Sequence, residues 1–381
     1  MGEISEALES VDWNFDDSSG SESIHSLHPY PAKFIPEIPR ELVRLFYPED
    51  SSPILDPFCG SGTTLVEAMR LGIDSWGVDI NPLACLITRV KTTPLRVSLD
   101  RIARRVSEAA RIEYRSCNVN VPQIPNLDHW FKPDIQIAIA ALVREIKSTQ
   151  PLKVREALEL ALSRIIVKVS KQESDTRYAA VAKEGSSDDV FDRFERSGQL
   201  VHRAVSSLSP TLFHRLGKAT VLNRDILGVQ PSNLPDGVSL VITSPPYPNA
   251  YEYWLYHKYR MYWLGMDPLA VRRAEIGARP HYFKKNHQDE RDFQVQMGSC
   301  FRLLSAVMRM GGKACFLVGR SIIHGREIDN VSLLRNAAQP HGFVLQGVVE
   351  RRIRRTRKAF NPSHAKIARE HLMIFSLERL T

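Results

Sequence analysis

The tightest constraint on the fold of this chain is one β-α-β unit near its N-terminus. An apolar strand, Pro53 to Asp56, runs into the turn Asp56-Pro57-Phe58-Cys59-Gly60-Ser61-Gly62-Thr63-Thr64. A helix is predicted from Thr63 to Leu71 and a second strand from Ser75 to Asp79. Parallel strands joined by a helix commit a chain to an open sheet covered by helices. Flanking helical stretches run from Ile38 to Phe46 and from Pro82 to Val90. Ligands of such sheets bind where a strand ends and a helix begins, and Gly60 and Gly62 let the backbone come close to one.

The turn has neither the GxGxxG spacing of a dinucleotide site nor a phosphate loop ending in Gly-Lys-Ser. Its leading carboxylate, Asp56, would repel a pyrophosphate and suits a cation. S-adenosylmethionine carries a sulfonium and an ammonium group, so the charge logic favours it over a nucleotide. Asp79 closes the second strand, where a carboxylate can take both ribose hydroxyls, with Ile80 beside it. After a third strand, Ala219 to Asn223, Asp225 is placed to accept from an adenine amino group, next to Ile226. Each aspartate also has a plainer reading, as a helix cap or a turn former.

The sharpest signal is a strand, Val238 to Thr243, that runs straight into Ser244-Pro245-Pro246-Tyr247. Two prolines stiffen the turn and remove its donors, leaving a rigid, acceptor-rich corner. An exocyclic amino group needs such a corner, because its lone pair is delocalised into the base until its hydrogens are held. Ser244 Oγ and the Pro245 carbonyl can do this, and Tyr247 offers a flat face for a base rotated out of a duplex. The aromatic residues that follow, Tyr251, Tyr253, Trp254, Tyr256 and Tyr259, read mainly as helix packing. Ring-carbon methylation of cytosine needs a cysteine nucleophile, and no Cys here follows a proline.

Residues 1–24 read as a flexible polar tail, residues 25–96 and 216–381 as the α/β catalytic domain, and residues 97–215 as a helical insertion. Within the insertion helical periodicity covers Leu99 to Tyr114, Ile135 to Ile146, Val154 to Val169 and Val190 to Leu208, with a loop from Ser170 to Asp189. Later helices are predicted over Tyr251 to Leu264 and Asp292 to Met310. The last strands are Lys313 to Val318, Phe343 to Val349 and His371 to Phe375, the final two an antiparallel pair. Five scattered cysteines form neither a zinc motif nor a disulfide framework, so no metal is expected and a cytoplasmic setting fits. No apolar run reaches membrane-spanning length. The net charge of +8 suits a polyanionic partner.

Taken together, these residues resemble the bacterial amino-group DNA methyltransferases, which form N4-methylcytosine or N6-methyladenine. His28-Pro29-Tyr30-Pro31-Ala32-Lys33-Phe34 is similar to the N-terminal cofactor motif of that family, Asp56 to Gly62 to its glycine motif, and Ser244 to Tyr247 to its catalytic tetrapeptide. The resemblance implies the class I S-adenosylmethionine-dependent methyltransferase fold, a seven-stranded, mostly parallel sheet with an antiparallel last strand. It adds Tyr30, Lys33 and Phe34 to the expected cofactor residues and S-adenosylhomocysteine as product. It further implies target recognition within residues 97–215, double-stranded DNA as substrate, a nucleoid location and a cognate restriction endonuclease as partner. Serine at the head of the tetrapeptide favours cytosine-N4 over adenine-N6.

Six of the eight residues from Arg351 to Lys358 are basic, namely Arg351, Arg352, Arg354, Arg355, Arg357 and Lys358. They could clamp phosphates, as could Lys284 and Lys285, although charge runs are usually solvated surface. Other readings keep the fold and change the substrate to RNA or a protein glutamine, or leave the chain as an idle nucleic-acid-binding module.

Overall fold

The computed structural model describes residues 2–16, 24–31, 35–48, 50–116, 119–175, 177–208, 216–248, 252–283, 285, 287–353 and 369–379. Seven strands build one sheet: β1 (Ile54–Asp56), β2 (Ser75–Asp79), β3 (Ala219–Asn223), β4 (Val238–Thr243), β5 (Met308–Gly319), β6 (Phe343–Arg352) and β7 (Arg369–Leu377). Their spatial order is β6-β7-β5-β4-β1-β2-β3. β3, β2, β1, β4 and β5 run parallel, and β7 lies antiparallel to both β5 and β6. This is the expected class I methyltransferase topology.

β1 and β4 are buried at every position, as central parallel strands covered on both faces must be. They pair Ile54 with Leu240 and Leu55 with Val241. The strand order reverses between them, and their C-terminal ends therefore open a crevice. Helix Thr63–Arg70 follows β1, and helix Pro82–Lys91 follows β2. The second starts cleanly because Asn81 Oδ1 accepts from Leu83 N at 3.0 Å and Pro82 needs no partner at the first helical position. On the far side Phe301 of helix Glu290–Val307 meets Phe316, Phe343 and Phe375 at 4.9, 5.2 and 5.4 Å between ring centres. These contacts fasten β5, β6 and β7 to that helix.

The insertion folds as four long helices, Leu99–Arg115, Pro133–Ser148, Leu152–Val169 and Ser187–Ser206. They share one hydrophobic core with Val66 and Met69 of the first crossover helix and Leu83, Leu86 and Ile87 of the second. Among the described residues no helix is long and apolar enough to cross a membrane.

Four expectations are corrected. The first residues are no loose tail, because Gly2–Glu9 is a helix, and Leu8 and Trp13 are buried beside the outer strands. The loop expected over Ser170 to Asp189 contains a hairpin, Gln172–Ser174 with Arg177–Ala180. Trp130 holds its Tyr178 at 4.6 Å, and Arg260 pairs with Asp175. The helix expected over Tyr251 to Leu264 is broken into Tyr253–Tyr256 and Lys258–Trp263. The one expected to reach Met310 stops at Val307, where Met308 pairs with Val238 to begin β5.

Candidate active site

The crevice at the sheet's carboxyl edge holds an open cavity, about 820 Å³ of empty space including its mouth. Its wall is built from the ends of four adjacent strands. Pro57, Phe58, Gly60 and Thr63 follow β1, Asp79 and Ile80 end β2, Asp225 and Ile226 follow β3, and Ser244 and Pro246 follow β4. Tyr30 closes one side. Thus the predicted cofactor and catalytic segments, far apart in sequence, line one space.

Gly60 adopts φ +49°, and a Cβ there would lie 3.3 Å from the Tyr30 ring. Gly62, at φ +79°, caps helix Thr63–Arg70, and a Cβ there would lie 2.5 Å from Thr88 Cγ2. Conformation therefore favours glycine at both positions, and at Gly62 space does so as well. Asp79 fixes the turn, because its Oδ2 accepts from Gly60 N and its Oδ1 from Asn81 N, each at 2.8 Å. Each oxygen keeps a second acceptor site for a ligand hydroxyl. Burial pushes this carboxyl up to about 6, against the pull of those two bonds. Asp225 faces the cavity while its Oδ1 accepts from Leu227 N at 3.0 Å, so it is both turn former and wall residue.

Asp56 is a correction, since it is not a wall residue. It is 1% exposed and turned inward, accepting from Thr243 Oγ1 at 2.7 Å and Phe58 N at 3.1 Å. Burial raises it to about 7. Tyr247 is a second correction, buried in the core and not among the residues that line the cavity. Its hydroxyl lies 3.1 Å from Ser244 Oγ and donates to Leu317 O at 3.4 Å. Pro245 is buried as well and does not line the cavity.

Arg351 is a third correction. Expected to meet DNA, it is 5% exposed, with Nε donating to Trp13 O at 2.9 Å and Nη1 to Glu370 Oε2 at 2.5 Å. Arg352 and Lys285 are exposed. Lys33, Phe34, Tyr251, Lys284, Arg354, Arg355, Arg357 and Lys358 lie outside the described residues.

Wall residues outside the expected site include Glu275, which carries no motif, and Tyr253, which reads from sequence mainly as helix packing. The Tyr253 ring stacks on Tyr30 at 5.6 Å, and His257 stacks on Tyr30 at 5.2 Å. Glu275 is 5% exposed, and its two oxygens accept from Tyr253 N at 2.9 Å and Trp254 N at 3.3 Å. Burial pushes Glu275 up to about 8. Two residues on, Gly277 sits at φ +76°, where a Cβ would lie 2.6 Å from the Tyr247 carbonyl oxygen. The only available signal was the Glu-Ile-Gly run between two polar stretches, too short to carry a motif.

A family model described as DNA methylase matches residues 5–89. The type II methyltransferase M.MvaI of Kocuria varians is 27% identical over 256 residues, covering 61% of this chain and 55% of that protein. The type II methyltransferase M.MjaII of Methanocaldococcus jannaschii is 42% identical over 86 residues, 21% of this chain and 16% of that protein. The chain thus spans about half the length of the first relative and less of the second. Among solved structures, TrmN from Thermus thermophilus aligns at a TM-score of 0.36 and 12% identity, over 90% of this chain and 49% of that one. The fold is defined by the strand order. The sequence matches agree with one another: residues 5–89 match the DNA methylase model, and longer stretches of the chain are similar to type II methyltransferases.

Proposed function

We propose that the protein transfers a methyl group from S-adenosylmethionine to the exocyclic amino nitrogen of a DNA base rotated out of the duplex, and that this base is cytosine. One observation carries the reading: Ser244 and Pro246 line the same cavity as Asp79 and the Gly60 turn. The chemistry of the wall fits the donor. Asp79, Asp225 and Glu275 face a space that only one cationic side chain, Arg224, lines among the described residues, as suits a sulfonium and an ammonium. Asp79 would hold the ribose, Asp225 the adenine amino group, and the Gly60 backbone would lie against the donor. When bound, the donor supplies an electrophilic methyl group.

The chain's own part is to hold the amine. A Tyr247 hydroxyl that donates to Leu317 O must accept from Ser244, which leaves the Ser244 lone pairs to take an amine hydrogen. Holding that hydrogen draws the nitrogen toward the geometry needed for attack, and the fixed corner needs no reorganisation as charge develops. Tyr247 serves here by orienting Ser244.

Residues 97–215 are the segment we assign to target recognition, and the setting is the nucleoid, with a cognate restriction endonuclease as partner. A labelled-methyl assay offering DNA, tRNA and protein in parallel tests the substrate class. Digestion of the DNA to nucleosides and mass spectrometry then tests the base. N4-methylcytosine is expected, N6-methyladenine would correct the base alone, and label only in tRNA or protein would overturn the reading.

A further inference from the structure

A second constellation stands beside the cavity on the same edge of the sheet. β5 pairs in parallel with β4, Phe316 opposite Thr243, so the chain leaving β5 emerges next to the Ser244 corner. It forms a tight hairpin, Ser321–Ile323 with Arg326–Ile328, closed by His324 and Gly325. Three residues beyond the wall residue Ile276, helix Arg279–Tyr282 leads to Phe283. Tyr282, Ile323 and Ile328 bury together and lock the two segments.

On that base stands an exposed aromatic group. Phe283 is 51% exposed, although large apolar rings are usually hidden. His324 packs edge-on against it at 5.1 Å, and His287 packs against His324 at 5.3 Å. The Arg279 guanidinium lies over the Phe283 ring at 5.3 Å, and Lys285 is exposed two residues on.

The turn itself makes His324 unusual. His324 has φ +47° and Gly325 φ +78°, the backbone of a two-residue type I′ hairpin turn. Asparagine is the most favoured side chain at the first position. A non-glycine residue at positive φ is uncommon, and this one has its ring against an exposed phenylalanine, which points to use of that ring.

We propose that Phe283, His287 and His324 form a platform on which nucleobases stack, with Arg279 and Lys285 holding the flanking phosphates, so that this edge docks the DNA strand entering the cavity. The choice of DNA as occupant rests on the methyltransferase reading. Aromatic faces interleaved with cations are how unpaired bases are held without regard to sequence. Phosphate contacts alone would need no exposed aromatic.

The test is fluorescence anisotropy with a labelled mixed-sequence single strand and the matching duplex, over a series of sodium chloride concentrations. Phe283→Ala and His324→Asn are each expected to weaken single-strand binding by about 5- to 100-fold, the range for one lost stack. Their salt dependence should match wild type. Arg279→Gln and Lys285→Gln should each make the slope of log K against log salt shallower by about one. The melting temperature of His324→Asn should equal or exceed that of wild type, because asparagine suits the turn better. Equal DNA affinity in both aromatic variants would overturn the platform, as would a lowered melting temperature that accounts for the loss. No turnover is needed, so a wild type that binds this way yet methylates nothing would sink the enzymatic reading alone.

Discussion

The Thr243 hydroxyl donates to Asp56 Oδ1 at 2.7 Å, joining the last residue of β4 to the last residue of β1. Ser244 follows the first and the glycine turn follows the second, so one buried bond holds the Ser244 corner against the glycine turn. Thr243→Val keeps the shape and removes the donor. At pH 8, where Asp56 is mostly ionised, this should cost about 1–3 kcal/mol in urea unfolding. At pH 5 the carboxyl is protonated and the cost should shrink. A variant as stable as wild type at both pH values would contradict this account of the joint.

Asp79→Ala removes the acceptor for Gly60 N and Asn81 N together with the proposed ribose contact. Donor affinity by calorimetry should fall by about 1.5–3 kcal/mol, as for charged hydrogen bonds. An unchanged dissociation constant would take the donor away from this aspartate.

The raised carboxyls fix a sign for pH dependence. Asp79 is held at about 6 and Glu275 at about 8, chiefly by burial, so the folded, ligand-free protein keeps protons that an unfolded chain has lost. Its stability from these groups is therefore present at low pH and declines as pH rises from about 4 to 8. A cationic donor favours the ionised forms. Its binding should tighten from about pH 6 to 8 and release protons, read by calorimetry in buffers of different ionisation heat. S-adenosylhomocysteine, which lacks the sulfonium charge, should show a weaker dependence. Proton uptake on donor binding would be the wrong sign.

Gly277→Ala places a Cβ 2.6 Å from the Tyr247 carbonyl at a backbone angle of +76°. The obstacle is backbone, so the tetrapeptide must move or the chain must strain. Stability should fall by about 1–3 kcal/mol. Methyl transfer should fall at least about tenfold, one order of rate for each 1.4 kcal/mol of lost transition-state stabilisation. Normal turnover in this variant would show that the corner tolerates displacement.

Strands β2, β3 and β4 were legible to the residue, because short apolar runs stop there at Asp79, at Asn223 and at the Ser-Pro-Pro turn. The glycine turn and the tetrapeptide were legible for the same reason, since each packs its chemistry into a few adjacent residues. What stayed hidden was depth. Asp56 and Asp79 look alike as strand-ending carboxylates, yet one turns inward to Thr243 and the other faces the cavity. Tyr247 reads as a stacking face until its hydroxyl is seen against Leu317 O. Arg351 reads as part of a basic loop, although β6 extends through it and Glu370 on β7 neutralises it. Glu275 meets Tyr253 only through a tertiary contact 22 residues away, which no local pattern records.

The most direct test is single-turnover methyl transfer to DNA by wild type and Ser244→Ala, with donor affinity measured on the same samples. Wild type is expected to yield N4-methylcytosine. Ser244→Ala should lose about 100-fold or more in rate, as for loss of one preorganised contact to the reacting group, while its donor affinity stays unchanged. Equal rates in the two proteins, or no methylated base in the DNA, would contradict it.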